Sequence, residues 1–206
     1  MNFRSKMTGV IAMGFFLLSG CANKNCDYSS TYIVQADGTN RITFNDTHSR
    51  ARIAQKFHPN SAVTVYSVSF TIVKVGEPTG TLKVSIHSDD NDKPKKSAIS
   101  DGGPVNVNLD EVGSTVLVEV ETKLNGNPDL SSDRDYYIVL ESSDPPSDTD
   151  YYQLGSVSTG SAYPDGEVWE YDSNEDNYDK AWSDSPSDDL QFSINKCEQN
   201  KNNSSN

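Results

Sequence analysis

The chain has 206 residues, with 17 Lys and Arg against 30 Asp and Glu, for a formal charge of −13. That balance argues against a nucleic-acid binder, which needs a positive footprint for phosphates, and against docking on an anionic membrane surface. It fits a soluble surface, or clustered carboxylates that hold a divalent cation.

The chain opens with Arg4 and Lys6, then an apolar run from Val10 to Leu18, then Leu18-Ser19-Gly20-Cys21. The apolar part is too short to span a bilayer as a helix, and the arrangement reads as a secretory signal peptide over residues 1–20. Its ending resembles a bacterial lipobox. The resemblance implies cleavage before Cys21, acylation of that residue, and a bilayer as partner through its acyl chains; a simple secreted protein cleaved elsewhere is the alternative. Ala22 and Asn23 follow, with no Asp directly after Cys21. By analogy with the retention rule of diderm bacteria, this suits the outer membrane. Arg4 and Lys6 are the only charged residues in the leader, so the mature chain carries 15 basic and 30 acidic residues, a net −15.

Residues 21–30 read as a lipidated start and polar spacer, 31–197 as a single domain, and 198–206 as a disordered polar tail. With Cys21 assigned to lipid, Cys26 and Cys197 remain, one at each end of the domain. In an oxidising compartment two such thiols pair, and the pairing would set the first and last strands side by side.

Within the domain, apolar residues alternate with period two. The segment Ser49 to Phe57 fits either a turn of helix or an alternating strand. Strands are predicted at Ala62–Val73, Leu82–Ile86, Val105–Leu109, Val116–Val120 and Leu190–Ile194. Tyr136–Leu140 is a solid apolar run, expected of a strand buried on both faces. Turn signals separate them, such as Asp101-Gly102-Gly103-Pro104 and Asp144-Pro145-Pro146. The pattern predicts an all-β fold, an antiparallel β-sandwich of jelly-roll type in one domain.

From Ile53 to Ile194 the chain resembles the choice-of-anchor R type β-sandwich domain of exported bacterial and phage-associated proteins. The resemblance is carried by Val75-Gly76-Glu77-Pro78-Thr79-Gly80-Thr81-Leu82-Lys83-Val84-Ser85-Ile86, then Tyr136-Tyr137-Ile138-Val139-Leu140, Tyr151-Tyr152 and Asp188-Asp189-Leu190-Gln191-Phe192. It implies a jelly-roll sandwich held at the cell surface, of a kind that often serves as a carbohydrate-binding module. The chain departs from the family at Ser114-Thr115, where members often carry a Trp.

Catalytic patterns are missing from the sequence. His48, His58 and His87 are scattered, and neither H-E-x-x-H nor G-x-S-x-G occurs. The chain therefore reads as non-enzymatic. Asp89, Asp90 and Asp92, and separately Asp188 and Asp189, are candidate Ca²⁺ ligands or plain solvated turns. Aromatic residues crowd the C-terminal half. Trp169, Tyr171 and Trp182, with Asp165 and Glu167 at the edge, are the candidate sugar platform; the competing role for the tryptophans is core packing. The expected function is a carbohydrate- or surface-binding module that engages a glycan or an envelope protein. The alternative is a structural or protein-interaction domain of an envelope or adhesive complex.

Overall fold

The computed structural model of the chain describes residues 26, 28–35, 40–45, 51–158, 166–172, 175, 177–185 and 188–198. The signal peptide, Cys21, Asp165 and the tail beyond Glu198 lie outside the described residues. Strands form in chain order as β1 (Tyr28–Gln35), β2 (Asn40–Phe44), β3 (Arg52–Phe57), β4 (Val63–Val75), β5 (Leu82–Asp89), β6 (Pro94–Ala98), β7 (Val105–Asn106) and β8 (Val118–Lys123). They continue as β9 (Asp129–Leu130), β10 (Tyr136–Ser142), β11 (Tyr151–Ser158), β12 (Val168–Tyr171), a single helical turn α1 (Tyr178–Ala181), β13 (Trp182–Ser185), β14 (Asp188–Leu190) and β15 (Phe192–Glu198). No described helix is long and apolar enough to cross a membrane.

Two antiparallel sheets pack face to face, and the fold is an all-β sandwich. One runs β1-β15-β4-β11-β14, with β2 added to β11 and with β8 and β9 added to β4. The other runs β13-β12-β3-β10-β5-β6, with β7 added to β5. Alternation sends one side of each strand into the shared core. Val68, Phe70 and Ile72 of β4 meet Val84 and Ile86 of β5, Ile138 and Leu140 of β10, and Phe192 and Ile194 of β15. Tyr136–Leu140 is buried on both faces, as its unbroken apolar run predicts. Ile138 and Leu140 face the core, while Tyr137 and Val139 enter a second cluster on the outside of the sheet.

Cys26 and Cys197 form a disulfide with Cα atoms 5.2 Å apart. It closes the end of the β1–β15 ladder, where Ser29 pairs with Cys197, so the first and last strands lie side by side.

Several boundaries differ from the sequence reading. β1 begins at Tyr28, inside the predicted spacer. Ser49–Phe57 resolves as strand β3. The strand expected at Val105–Leu109 ends at Asn106. The one expected at Val116–Val120 starts at Val118 and runs to Lys123; Val116 itself is exposed. Leu190–Ile194 is broken at Gln191, because the chain steps there from β11 to β4. The Gln191 N–H donates to the Gly155 carbonyl and its own carbonyl accepts from the Thr71 N–H. Gly155 allows the step: a Cβ there would sit 1.9 Å from Thr71 Oγ1.

Candidate functional site

The predicted aromatic platform lies on the outer face of the seven-stranded sheet. β12 pairs with β3 so that Trp169 faces Ala54 and Tyr171 faces Arg52. As alternation requires, Trp169 and Tyr171 share one side. On the other flank of β12, Tyr171 faces Trp182 of β13. Ala54, Tyr137, Val139 and Trp182 form a buried cluster, with Trp169, Tyr171 and Tyr178 packed against it. Tyr171 and Trp182 meet edge to face at 5.2 Å between centroids, and Tyr178 meets Trp182 at 6.2 Å. The Arg52 guanidinium sits 4.9 Å over the Tyr171 ring and is paired with Glu141 at 2.7 Å.

This arrangement corrects the assignment of Trp182 as a ligand residue. It is 5% exposed, with rings against it on two sides, and packs a second small core. Trp169 and Tyr171 are half-buried in the same cluster. Glu167 contributes its backbone carbonyl to the Lys56 N–H, and its charge helps hold Lys56 protonated. Burial lowers the Lys56 pKa, but the bond to Asp135 and the charges of Asp135, Asp92 and Glu167 outweigh it. The carboxyl of Asp135 is likewise pushed up by burial. Its bonds from His58 (2.7 Å) and Lys56 (3.2 Å), and their charges, outweigh that and hold it below the usual carboxylate value.

The acidic candidates do not converge. Asn91 and Asp92 have φ of 58° and 61°, and the Asp90 N–H donates to the Lys93 carbonyl. That is a two-residue hairpin turn of the type that requires positive φ at both central residues. Asp89 accepts from the Tyr137 hydroxyl at 3.1 Å, and Asp92 pairs with Lys56 at 3.5 Å. Asp188 and Asp189 lie in β14 of the other sheet, where Asp188 pairs with Ser158. Asp189 is 2% exposed and accepts from Gln55 Nε2 at 2.7 Å. Among the described residues no three His, Cys, Asp or Glu stand together as a metal site.

A different site emerges on the outer face of the eight-stranded sheet. There β1, β15, β4 and β8 shape a recess of about 640 Å³. Its floor is a row across the sheet: Ser193 pairs with Ser69, and Ser69 with Glu121. Ser69 and Ser193 are 3% and 8% exposed. Both line the recess, and neither hydroxyl has a hydrogen-bond partner among the described residues. Glu119 and Glu121 wall one side; Ser30, Thr31 and Asn195 form the other. Ser67 Oγ and Asn195 Nδ2 both donate to Glu121 Oε1, and Asn195 Nδ2 also lies 3.0 Å from Ser67 Oγ. The sequence signal for this site is the polar half of three alternating strands: Ser67, Ser69 and Thr71; Glu119 and Glu121; Ser193 and Asn195. Read singly, each looks like an ordinary wet face.

No protein-family model and no curated protein matches the chain. Among solved structures, the cysteine protease and lectin-like domains of Cwp84, a surface-layer-associated protein of Clostridium difficile, are similar at 12% identity and a TM-score of 0.45. The similarity covers 82% of this chain and 36% of that one, so the chain spans about a third of its length.

Proposed function

We propose that this is a non-catalytic module of the bacterial envelope, tethered by lipid at Cys21, that binds a saccharide in the recess of the eight-stranded sheet. The observation that carries the reading is the pair of largely buried serines at the floor, Ser69 and Ser193, whose hydroxyls open onto the recess with no protein partner among the described residues. Hydroxyls that no protein group engages are left for whatever fills the recess, and a ligand hydroxyl can replace the water that meets them there. Glu121, Asn195 and Thr31 offer acceptors and donors around it, the mixed set that hydroxyl-rich molecules require. The disulfide suits the oxidising compartment outside the cytoplasm. Ser85 Oγ lies 2.8 Å from His87 Nε2, the described pair most like a nucleophile and base, but both residues are buried, at 7% and 8% exposure. The reading therefore assigns them to packing.

The test is a glycan array probed with the mature protein and with the Ser69→Ala/Ser193→Ala double variant. The expected result is retention of a saccharide by the wild type and loss of about tenfold or more in affinity for the variant, one to two hydrogen bonds' worth. The variant should melt no lower than the wild type, since neither hydroxyl loses a partner. Failure of the wild type to retain any glycan would leave the structural or protein-interaction role. Mass spectrometry of membrane-extracted protein tests the anchor, with an acylated Cys21 as the expected N-terminus.

A further inference from the structure

We infer that the saccharide held in this recess is an amino-sugar chain bearing free, positively charged amines, and that it runs across strand β8. The inference rests on the saccharide reading above and specifies its ligand class. Glu119 and Glu121 are exposed and alternate on β8, so both carboxylates rise from the same face. Glu121 is held by Ser67 and Asn195. Glu119 has no hydrogen-bond or ion-pair partner among the described residues.

The same two glutamates also line a second recess, of about 340 Å³, on the far side of β8, together with Asp110 and Glu111. Neither recess is lined by Lys or Arg. The cations nearest in sequence and register are engaged by other groups: Lys196, the register partner of Ser30 at the recess wall, pairs with Glu198 at 2.9 Å. Lys123, next in the β8 alternation, sits 4.6 Å over the Tyr66 ring. Lys74 of β4 donates to the Leu109 carbonyl at 3.0 Å.

A strip of carboxylates thus continues the hydroxyl floor over the edge of the sheet. An anionic glycan would meet like charge there, on a chain that is already strongly acidic. A neutral sugar would leave Glu119 without a counter-charge. An ammonium on each ring would make charge-assisted bonds to the glutamates, while ring hydroxyls reach Ser69 and Ser193. A basic peptide shares the charge and could lay apolar side chains on Val112, Val118 and Val120 of the second recess, but it makes less use of the Ser69 and Ser193 hydroxyls at the floor of the first.

Calorimetry on the mature protein separates these ligands. The titrants are a glucosamine hexamer, its fully N-acetylated counterpart, a uronic-acid hexamer and hexalysine. The glucosamine hexamer should bind about tenfold tighter than the acetylated one, the worth of one charge-assisted hydrogen bond. That advantage should shrink as salt rises. Glu119→Gln, an exposed and nearly isosteric change, should remove the advantage of the glucosamine hexamer over the acetylated one. Equal binding of the two hexamers would overturn the charge selection while leaving the saccharide reading intact. Hexalysine binding as tightly as the glucosamine hexamer would overturn it in favour of a polycation or peptide surface. Binding of none of the saccharides would overturn both readings.

Discussion

Gln55 of β3 and Asp189 of β14 are joined by a 2.7 Å hydrogen bond that links the two sheets of the sandwich. The same amide accepts the Leu190 N–H at 2.6 Å through Oε1. Gln55 is fully buried and Asp189 is 2% exposed. A buried carboxylate is costly unless hydrogen-bonded, and a buried backbone N–H must likewise find a partner. One primary amide meets both needs, because it carries a donor and an acceptor on one rigid plane.

Replacing Gln55 by Leu keeps the volume roughly constant but leaves the Leu190 N–H unpaired and strips Asp189 of one donor. The expected loss is about 3 kcal/mol, from one orphaned neutral donor and one weakened charged acceptor. Urea unfolding followed by tryptophan fluorescence measures it. A loss below about 0.5 kcal/mol, the level of an ordinary surface change, would show that the bridge does not hold the sheets together.

The disulfide joins residues 171 apart in sequence. In the chain-entropy model a loop of that length stabilises the fold by about 5 kcal/mol, an upper figure when the unfolded chain keeps residual structure. Cys197→Ser should therefore lower the melting temperature sharply. It should also free β1 first, since the ladder with β15 loses its covalent end. Hydrogen exchange across residues 28–35, compared between oxidised wild type and variant, should show protection lost there before the β4–β8 pairing. Two free thiols in non-reduced peptide maps of protein isolated from its native cells would contradict the pairing itself.

The parts of this molecule that were readable in sequence are those that depend on local periodicity or on counting. β4, β5 and β10 follow from alternation, and the disulfide is expected from the two thiols that remain once Cys21 is assigned to lipid. Alternation says which residues share a face but not which strand lies beside them. The recess needs Ser69, Glu121 and Ser193 in one row, and these come from strands whose only connection is their pairing register. The break at Gln191 is equally non-local, since it is set by Gly155 and Thr71 on other strands. The sequence leaves Trp182 open between a ligand platform and core packing, because Asp, Asn and Ser surround it. It is buried because Tyr171 and Tyr178 close over it, and α1 is too short to show a helical period.

That burial makes Trp182 and Trp169 unequal. Trp182→Ala removes the centre of the outer cluster and should cost about 3–5 kcal/mol, the range for a large aromatic removed from a core. Trp169, half-buried at the margin, should cost distinctly less. Neither change should alter glycan affinity, because the cluster and the recess lie on opposite sheets. Denaturation curves paired with binding assays on the two variants check this. A loss of saccharide binding in Trp169→Ala at near-native stability would return the ligand site to the aromatic face.

His87 stands beside the same cluster and gives the domain a pH dependence. Its Nδ1 donates to the Lys95 carbonyl at 2.6 Å, which fixes the neutral tautomer, so Nε2 accepts from Ser85 Oγ at 2.8 Å. The Tyr178 hydroxyl donates to that same Lys95 carbonyl at 3.2 Å, tying α1 to the bonded ring. Burial pushes the His87 pKa below its ordinary value of 6.5 and the Arg52 charge adds to this, against opposing effects of the Lys95 carbonyl and Glu141. The folded ring therefore resists a proton that the unfolded chain accepts. Stability is full above pH 6.5 and declines as pH falls below it, until the lower folded-state value is reached and the slope ends. Protonation would also turn Nε2 into a donor and force the Ser85 hydroxyl to reorient. Urea midpoints measured from pH 8 to pH 5, as the difference between wild type and His87→Asn, isolate this group from the other titrating residues. The wild type should lose more stability than the variant across that interval. Parallel curves would mean that His87 is protonated without penalty and that the outer cluster opens to admit water.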